Sequence, residues 1–155
     1  MTREEILAMK AGRELDALVA QEIMGERIEW RDCPTGEIIG WEGEPFKSES
    51  IVRTERRQVA IDGSGEIMPF MWAPGHLSYS GHLVPYSTNI SAAWQVIGKL
   101  RSEFYCIEIK ITDSCCVTME LLSTPPIKVV VNGGTLSEAI CRAALLAKEQ
   151  DARKI

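Results

Sequence analysis

The segment from Tyr86 to Ser102, YSTNISAAWQVIGKLRS, sets the first constraint on this chain. Ile90, Ala93, Trp94, Ile97 and Leu100 recur at helical spacing and form one apolar stripe, which places Trp94 in a core. Ser87 or Asn89 can cap the start, because a short oxygen-bearing side chain accepts a bond from a free N–H of the first turn. Pro85 bars a helix from arriving from upstream, and Lys99 and Arg101 bring positive charge to the last turn, where the helix dipole favours it. Such a stripe needs an apolar surface to lie on, and a sheet buried on one face supplies it.

The residues that follow read as that sheet. Phe104 to Ile111 alternates, with Tyr105, Ile107, Ile109 and Ile111 as the buried parity and Phe104, Cys106, Glu108 and Lys110 opposite. Thr112-Asp113-Ser114 is a turn; Cys116 to Leu122 and Ile127 to Val131 are the next two strands, separated by Pro125-Pro126. After Asn132-Gly133-Gly134, Thr135 caps a final helix with Glu138 as its capping-box partner. Leu136, Ala139, Ile140, Ala143, Ala144 and Ala147 line its inner side, and the alanines point to a close approach to the sheet.

Upstream, Thr2 and Glu5 read as a capping box for a first helical turn, and a helix is expected from Gly12 to Met24, ended by Gly25. The composition then shifts. Glu26 to Trp30 alternates, Cys33-Pro34-Thr35-Gly36 reads as a turn, and Ile38 to Trp41 as a second short strand. Ile51 to Ile61 is either a strand or a loop, with Arg53, Arg56 and Arg57 on it. Asp62 to Pro85 carries four glycines and three prolines among bulky apolar residues and reads as a long lid on the domain. The expected class is therefore α+β: one domain over residues 1–155, helices on a small, mainly antiparallel sheet. The order is helix, β-rich middle, helix, three-strand meander, helix.

Three of these pieces together resemble the phage αβα ("ABA") sandwich family of small phage and prophage proteins. They are AGRELDALVAQEIMG at 11–25, PYSTNISAAWQVIGKL at 85–100 and SEAICRAALLA at 137–147, in the family's order. The resemblance implies helices around a small antiparallel sheet and a phage or prophage origin; with neither a signal peptide nor a membrane span read in the sequence, the cytoplasm of the bacterial host is the expected place of action. It brings no activity, cofactor or motif-defined active site, and residues 30–82 lie outside it.

Composition narrows the function classes. The net charge of −5 argues against a DNA- or RNA-binding protein, which ordinarily carries a basic field. No apolar run approaches the roughly 18 residues of a membrane span, and Met1 leads into a charged helical stretch rather than a signal peptide. Cys33, Cys106, Cys115, Cys116 and Cys141 are odd in number and read as free thiols. The sequence holds no Walker A loop, nucleophile elbow or HExxH, so neither a catalytic residue, a metal site nor a cofactor is expected.

Two non-enzymatic readings remain. In the first, Arg53, Arg56 and Arg57 grip phosphates while Trp72, His76, Tyr79 and Tyr86 fold over them, with Ser87 and Asn89 offering helix-start donors. This is a pocket for a small nucleotide, such as a cyclic signal of host defence held without turnover. In the second, the apolar 66–82 segment contacts another protein or another subunit, and the arginines lie on a solvated strand. A homo-oligomer is expected, because so much apolar loop is hard to bury in one small domain. The first reading predicts that Arg57→Ala or Trp72→Ala abolishes nucleotide binding in calorimetry while the melting temperature holds. The second predicts that the same variants change the oligomeric mass seen by light scattering.

Overall fold

The computed structural model describes residues 2–42, 49–61, 64, 66–67, 70–73, 76–78, 83–103, 105–111, 115–121 and 126–153. The chain divides into two compact units, Met1–Glu26 with Val84–Ile155, and Arg27–Leu83. The described residues form an α+β protein with the expected order of elements.

The first unit holds helices α1 (Arg3–Ala8), α2 (Arg13–Glu22), α3 (Ile90–Ser102) and α4 (Leu136–Ala152), and strands β5 (Tyr105–Ile111), β6 (Cys115–Leu121) and β7 (Ile127–Gly133). The strands form an antiparallel meander in the order β5-β6-β7. Val117 and Met119 of β6 lie opposite Val131 and Val129 of β7, and all four are buried. Helix α4 covers this face across β6 and β7 and also meets α1, α2 and α3. Its Ala139, Ala143, Ala144 and Ala147 are buried, so small side chains let the helix backbone come close to its neighbours. Leu15 and Val19 of α2, and Val96 and Leu100 of α3, complete the core. Each fully buried aliphatic side chain contributes about 1.5–3 kcal/mol through removal from water.

Local chemistry sets the helix ends. Thr2 and Glu5 make the expected capping box of α1. Gly25 takes φ 73°, the left-handed conformation that glycine reaches freely, just past the end of α2. Asn89, not Ser87, caps α3, accepting from the N–H groups of Ser91 and Ala92. At α4 the Thr135 hydroxyl accepts from Glu138 N at 3.2 Å, while the Glu138 carboxylate takes Gly134 N at 2.9 Å, one residue earlier than a standard capping box. Gly133 sits where β7 meets α4: a Cβ there would lie 2.9 Å from Ala139 N and 3.0 Å from Thr135 O.

A buried polar cluster ties α2 to the turn before α3. Ser87 is fully buried; its N–H donates to Asp16 Oδ1 at 2.6 Å, and its Oγ accepts from Gly12 N at 2.8 Å. Beside it the buried Tyr86 donates its hydroxyl to Glu26 Oε1 at 3.1 Å. Burial raises the pKa of both Asp16 and Glu26, opposed by these hydrogen bonds. It likewise pushes the Tyr86 hydroxyl and the neighbouring Cys141 thiol upward.

In the second unit, β1 (Arg27–Glu42) and β2 (Glu49–Ile61) form a long antiparallel ribbon, and β3 (Phe70–Ala73) pairs with β4 (His76–Ser78). Cys33, Val59 and Ile61 are buried together, with Ile67 packed on them. The expected turn at Cys33–Gly36 is instead part of one strand. Between Pro34 and Gly40, β1 spends six steps while β2 spends three, from Thr54 to Ile51, so the Pro-Thr-Gly signal marks bulges. Part of the expected 62–85 lid is likewise strand.

Two positions depart from the expected core. Trp94 is 50% and Ile90 42% exposed; the buried residues of α3 are Ala92, Ala93, Val96, Ile97 and Leu100, so the stripe centres on 93, 96/97 and 100 and leaves Ile90 and Trp94 on its shoulder. Ile111, of the apolar parity of β5, is 67% exposed, whereas Tyr105 at the other end of the strand is buried.

Two measurements test this packing. Gly133→Ala presses a methyl group onto backbone atoms of α4 and should destabilise the protein by about 1–3 kcal/mol in chemical denaturation. Asp16→Asn keeps an acceptor for Ser87 N–H and removes a charge whose burial is unfavourable. Because the folded-state pKa of Asp16 is raised, the wild type gains stability as pH falls through that pKa towards the unfolded value, and loses it as pH rises. Thermal melts should show the Asp16→Asn variant at least as stable as wild type at neutral pH, with the difference closing in acid.

Candidate functional site

The residues that the sequence grouped into one pocket have separate roles. Tyr86, Ser87 and Asn89 belong to the first unit and are engaged inside it: Tyr86 with Glu26, Ser87 with Asp16 and Gly12, and Asn89 as the cap of α3. Tyr86 and Ser87 are buried, so neither offers its side chain to a ligand in this structure. The backbones of Trp72 and His76 run in β3 and β4, and Tyr79 lies outside the described residues.

The three arginines lie on β2 but do not face one way. Pairing places Arg57 opposite Arg31 and Glu55 opposite Cys33, on the face that buries Val59 and Ile61; Arg53 shares that parity. Arg57 donates to Glu55 Oε2 at 2.8 and 2.6 Å, and Arg53 to Glu37 Oε2 at 2.9 Å. Four strand residues separate them by about 13 Å, too far for one phosphate group to join both. Arg56 points to the other face, opposite Asp32.

On that other face Arg56 meets an aromatic side chain that the sequence did not single out. Trp30, 60% exposed, stands opposite Gln58 and diagonal to the exposed Arg56. Diagonal neighbours across an antiparallel pair lie within reach of aromatic and long side chains, so an arginine and an indole are presented together. Ile51, 41% exposed, keeps the parity of Arg53 and Arg57 and so lies on the face of β2 away from Arg56. The strand alternation of Glu26–Trp30 was legible, but which parity faces water follows only from the pairing with β2.

A second surface lies in the first unit. Trp94, Ile97 and Arg101 of α3, with Tyr105, Ile107 and Ile109 of β5, line an open groove of about 580 Å³. The Tyr105 hydroxyl is buried without a hydrogen-bond partner among the described residues; burial, then the charges of Asp151 and Glu103, push its pKa up to about 12. All five cysteines are free thiols, with Cys106 exposed. Among the described residues no group of three histidine, cysteine or acidic side chains is placed to hold a metal ion, and no helix is long and apolar enough to cross a membrane.

No curated protein matches the chain. The family model of the phage ABA sandwich domain matches residues 17–145, from within α2 to within α4. With four helices and small antiparallel sheets among the described residues, and this match over most of its length, the chain belongs to the phage ABA sandwich domain family.

Proposed function

We propose that this phage protein acts without catalysis, by stoichiometric binding to another protein in the host cytoplasm, and that the β1–β2 ribbon is its contact surface. The observation that carries this reading is Trp30, 60% exposed on a strand face beside Arg56. Tryptophan and arginine are the side chains that most often dominate protein interfaces, because each removes a large area from water and keeps a polar group to orient the partner. A two-stranded ribbon gains little stability from its own pairing, so exposed apolar groups on it are costly unless a partner covers them.

A second reading, capture of a nucleotide-type ligand, is supported by the same pair: an indole face on which a base stacks and a guanidinium that forks onto phosphate. The acidic Asp32 directly across from Arg56 and the pairing of Arg53 and Arg57 with glutamates favour the protein-binding reading.

Trp30→Ala together with Arg56→Ala alters exposed side chains and should change stability by no more than about 0.5 kcal/mol each. In affinity capture from host cells, the wild type should retain a partner that the double variant loses, at unchanged melting temperature. A thermal shift of the wild type by a single nucleotide, lost in the double variant and with no partner protein retained, would overturn the protein-binding reading in favour of the second.

A further inference from the structure

Strand β5 is an edge. Among the described residues the sheet order is β5-β6-β7, so β5 pairs with β6 alone, which leaves its outer row of backbone N–H and C=O groups open to another strand. Natural edge strands are ordinarily short, twisted away or covered; this one runs seven residues in unbroken register with β6. Its apolar parity is progressively uncovered: Tyr105 is buried, Ile107 and Ile109 are half-buried, and Ile111 is 67% exposed. Beside the edge, α3 presents Trp94 and Ile90 to solvent, and the groove between Trp94 and Ile109 is open along the strand.

The opposite parity identifies what fits there. Glu108 and Lys110 are its charged residues, both exposed, and in one chain they pair with each other at 3.2 Å. Two strands related by a two-fold axis through Ile109 run antiparallel, and each residue meets the one equally far on the other side of the centre. Glu108 then lies opposite Lys110 of the second copy, and Lys110 opposite its Glu108. On the apolar face Ile109 meets Ile109, and Ile107 meets Ile111, twice over. A shift of one residue, centring on Glu108 or Lys110, would set like charges directly opposite, which is destabilising. The edge is therefore self-complementary in charge and in apolar pattern at one register.

We propose that β5 is the interface between two copies of this chain, joined antiparallel about Ile109 into a six-stranded sheet, with the isoleucine face of each strand lying against the groove beside Trp94 of the other. The contact is built from β5 and α3, and the ribbon reading above does not enter it.

The test is analytical ultracentrifugation of the full chain. The wild type should sediment as a dimer. Glu108→Lys places lysine opposite lysine, and Lys110→Glu places glutamate opposite glutamate; each alone should weaken self-association by about tenfold or more. The double variant Glu108→Lys/Lys110→Glu restores opposite charges and should dimerise again. An equimolar mixture of the two single variants should form a heterodimer, because lysines on one chain then face glutamates on the other. Recovery in the mixture also shows that both single variants fold. A monomeric wild type, single variants that self-associate like wild type, or a mixture that stays monomeric would each overturn the proposal.

Discussion

Ser87 and Tyr86 hold together chain segments that lie 60 to 75 positions apart in sequence. Ser87 answers Gly12 and Asp16 at the start of α2, and Tyr86 answers Glu26 just beyond its end. Between these partners the chain leaves and returns through the entire unit Arg27–Leu83. Closing a loop of that length costs several kcal/mol of chain entropy, though the cost grows only slowly with length, so a few buried hydrogen bonds together with apolar packing suffice to hold it. The clamp sets α2 beside α4 and starts α3 at Asn89, and the three-stranded sheet is then covered by α4. A buried carboxylate at this position is unfavourable in isolation; the backbone N–H of Ser87 is what makes it tolerable.

Exposed apolar side chains of both units lie on strands. The ribbon exposes Trp30, Ile39 and Ile51, and the edge of the meander exposes Ile111 beside the Glu108–Lys110 pair. Two copies joined through β5 would carry two ribbons, so a partner with repeated sites could be engaged twice, with the gain in avidity that linkage brings.

Much of the fold was legible because capping and alternation are local. Thr2 with Glu5, Gly25, Asn89, Thr135 and the alternation of Tyr105–Ile111 each speak through neighbours a few residues away. The candidate site was not legible for the opposite reason. Whether Arg53, Arg56 and Arg57 converge depends on the pairing of β2 with β1, and that register passes through bulges between Pro34 and Gly40 that the Cys-Pro-Thr-Gly sequence disguises as a turn. Ser87 and Tyr86 looked available because their partners, Gly12, Asp16 and Glu26, lie far upstream. Trp94 looked buried because a helix stripe has a width that spacing alone does not define; α3 turns its alanines, Val96 and Leu100 inward and leaves the indole on the shoulder.

The most direct test of the clamp is to replace residues 27–83 with a short glycine-serine linker and record the amide spectrum and thermal melt of what remains. If Ser87, Tyr86 and α2 close the first unit by themselves, the shortened chain will give dispersed amide resonances and a single cooperative transition. Substitution of Ser87 by alanine in that background will then lower the transition by several degrees. A collapsed spectrum without a cooperative transition would show that residues 27–83 are needed to hold the first unit together, and would contradict the account.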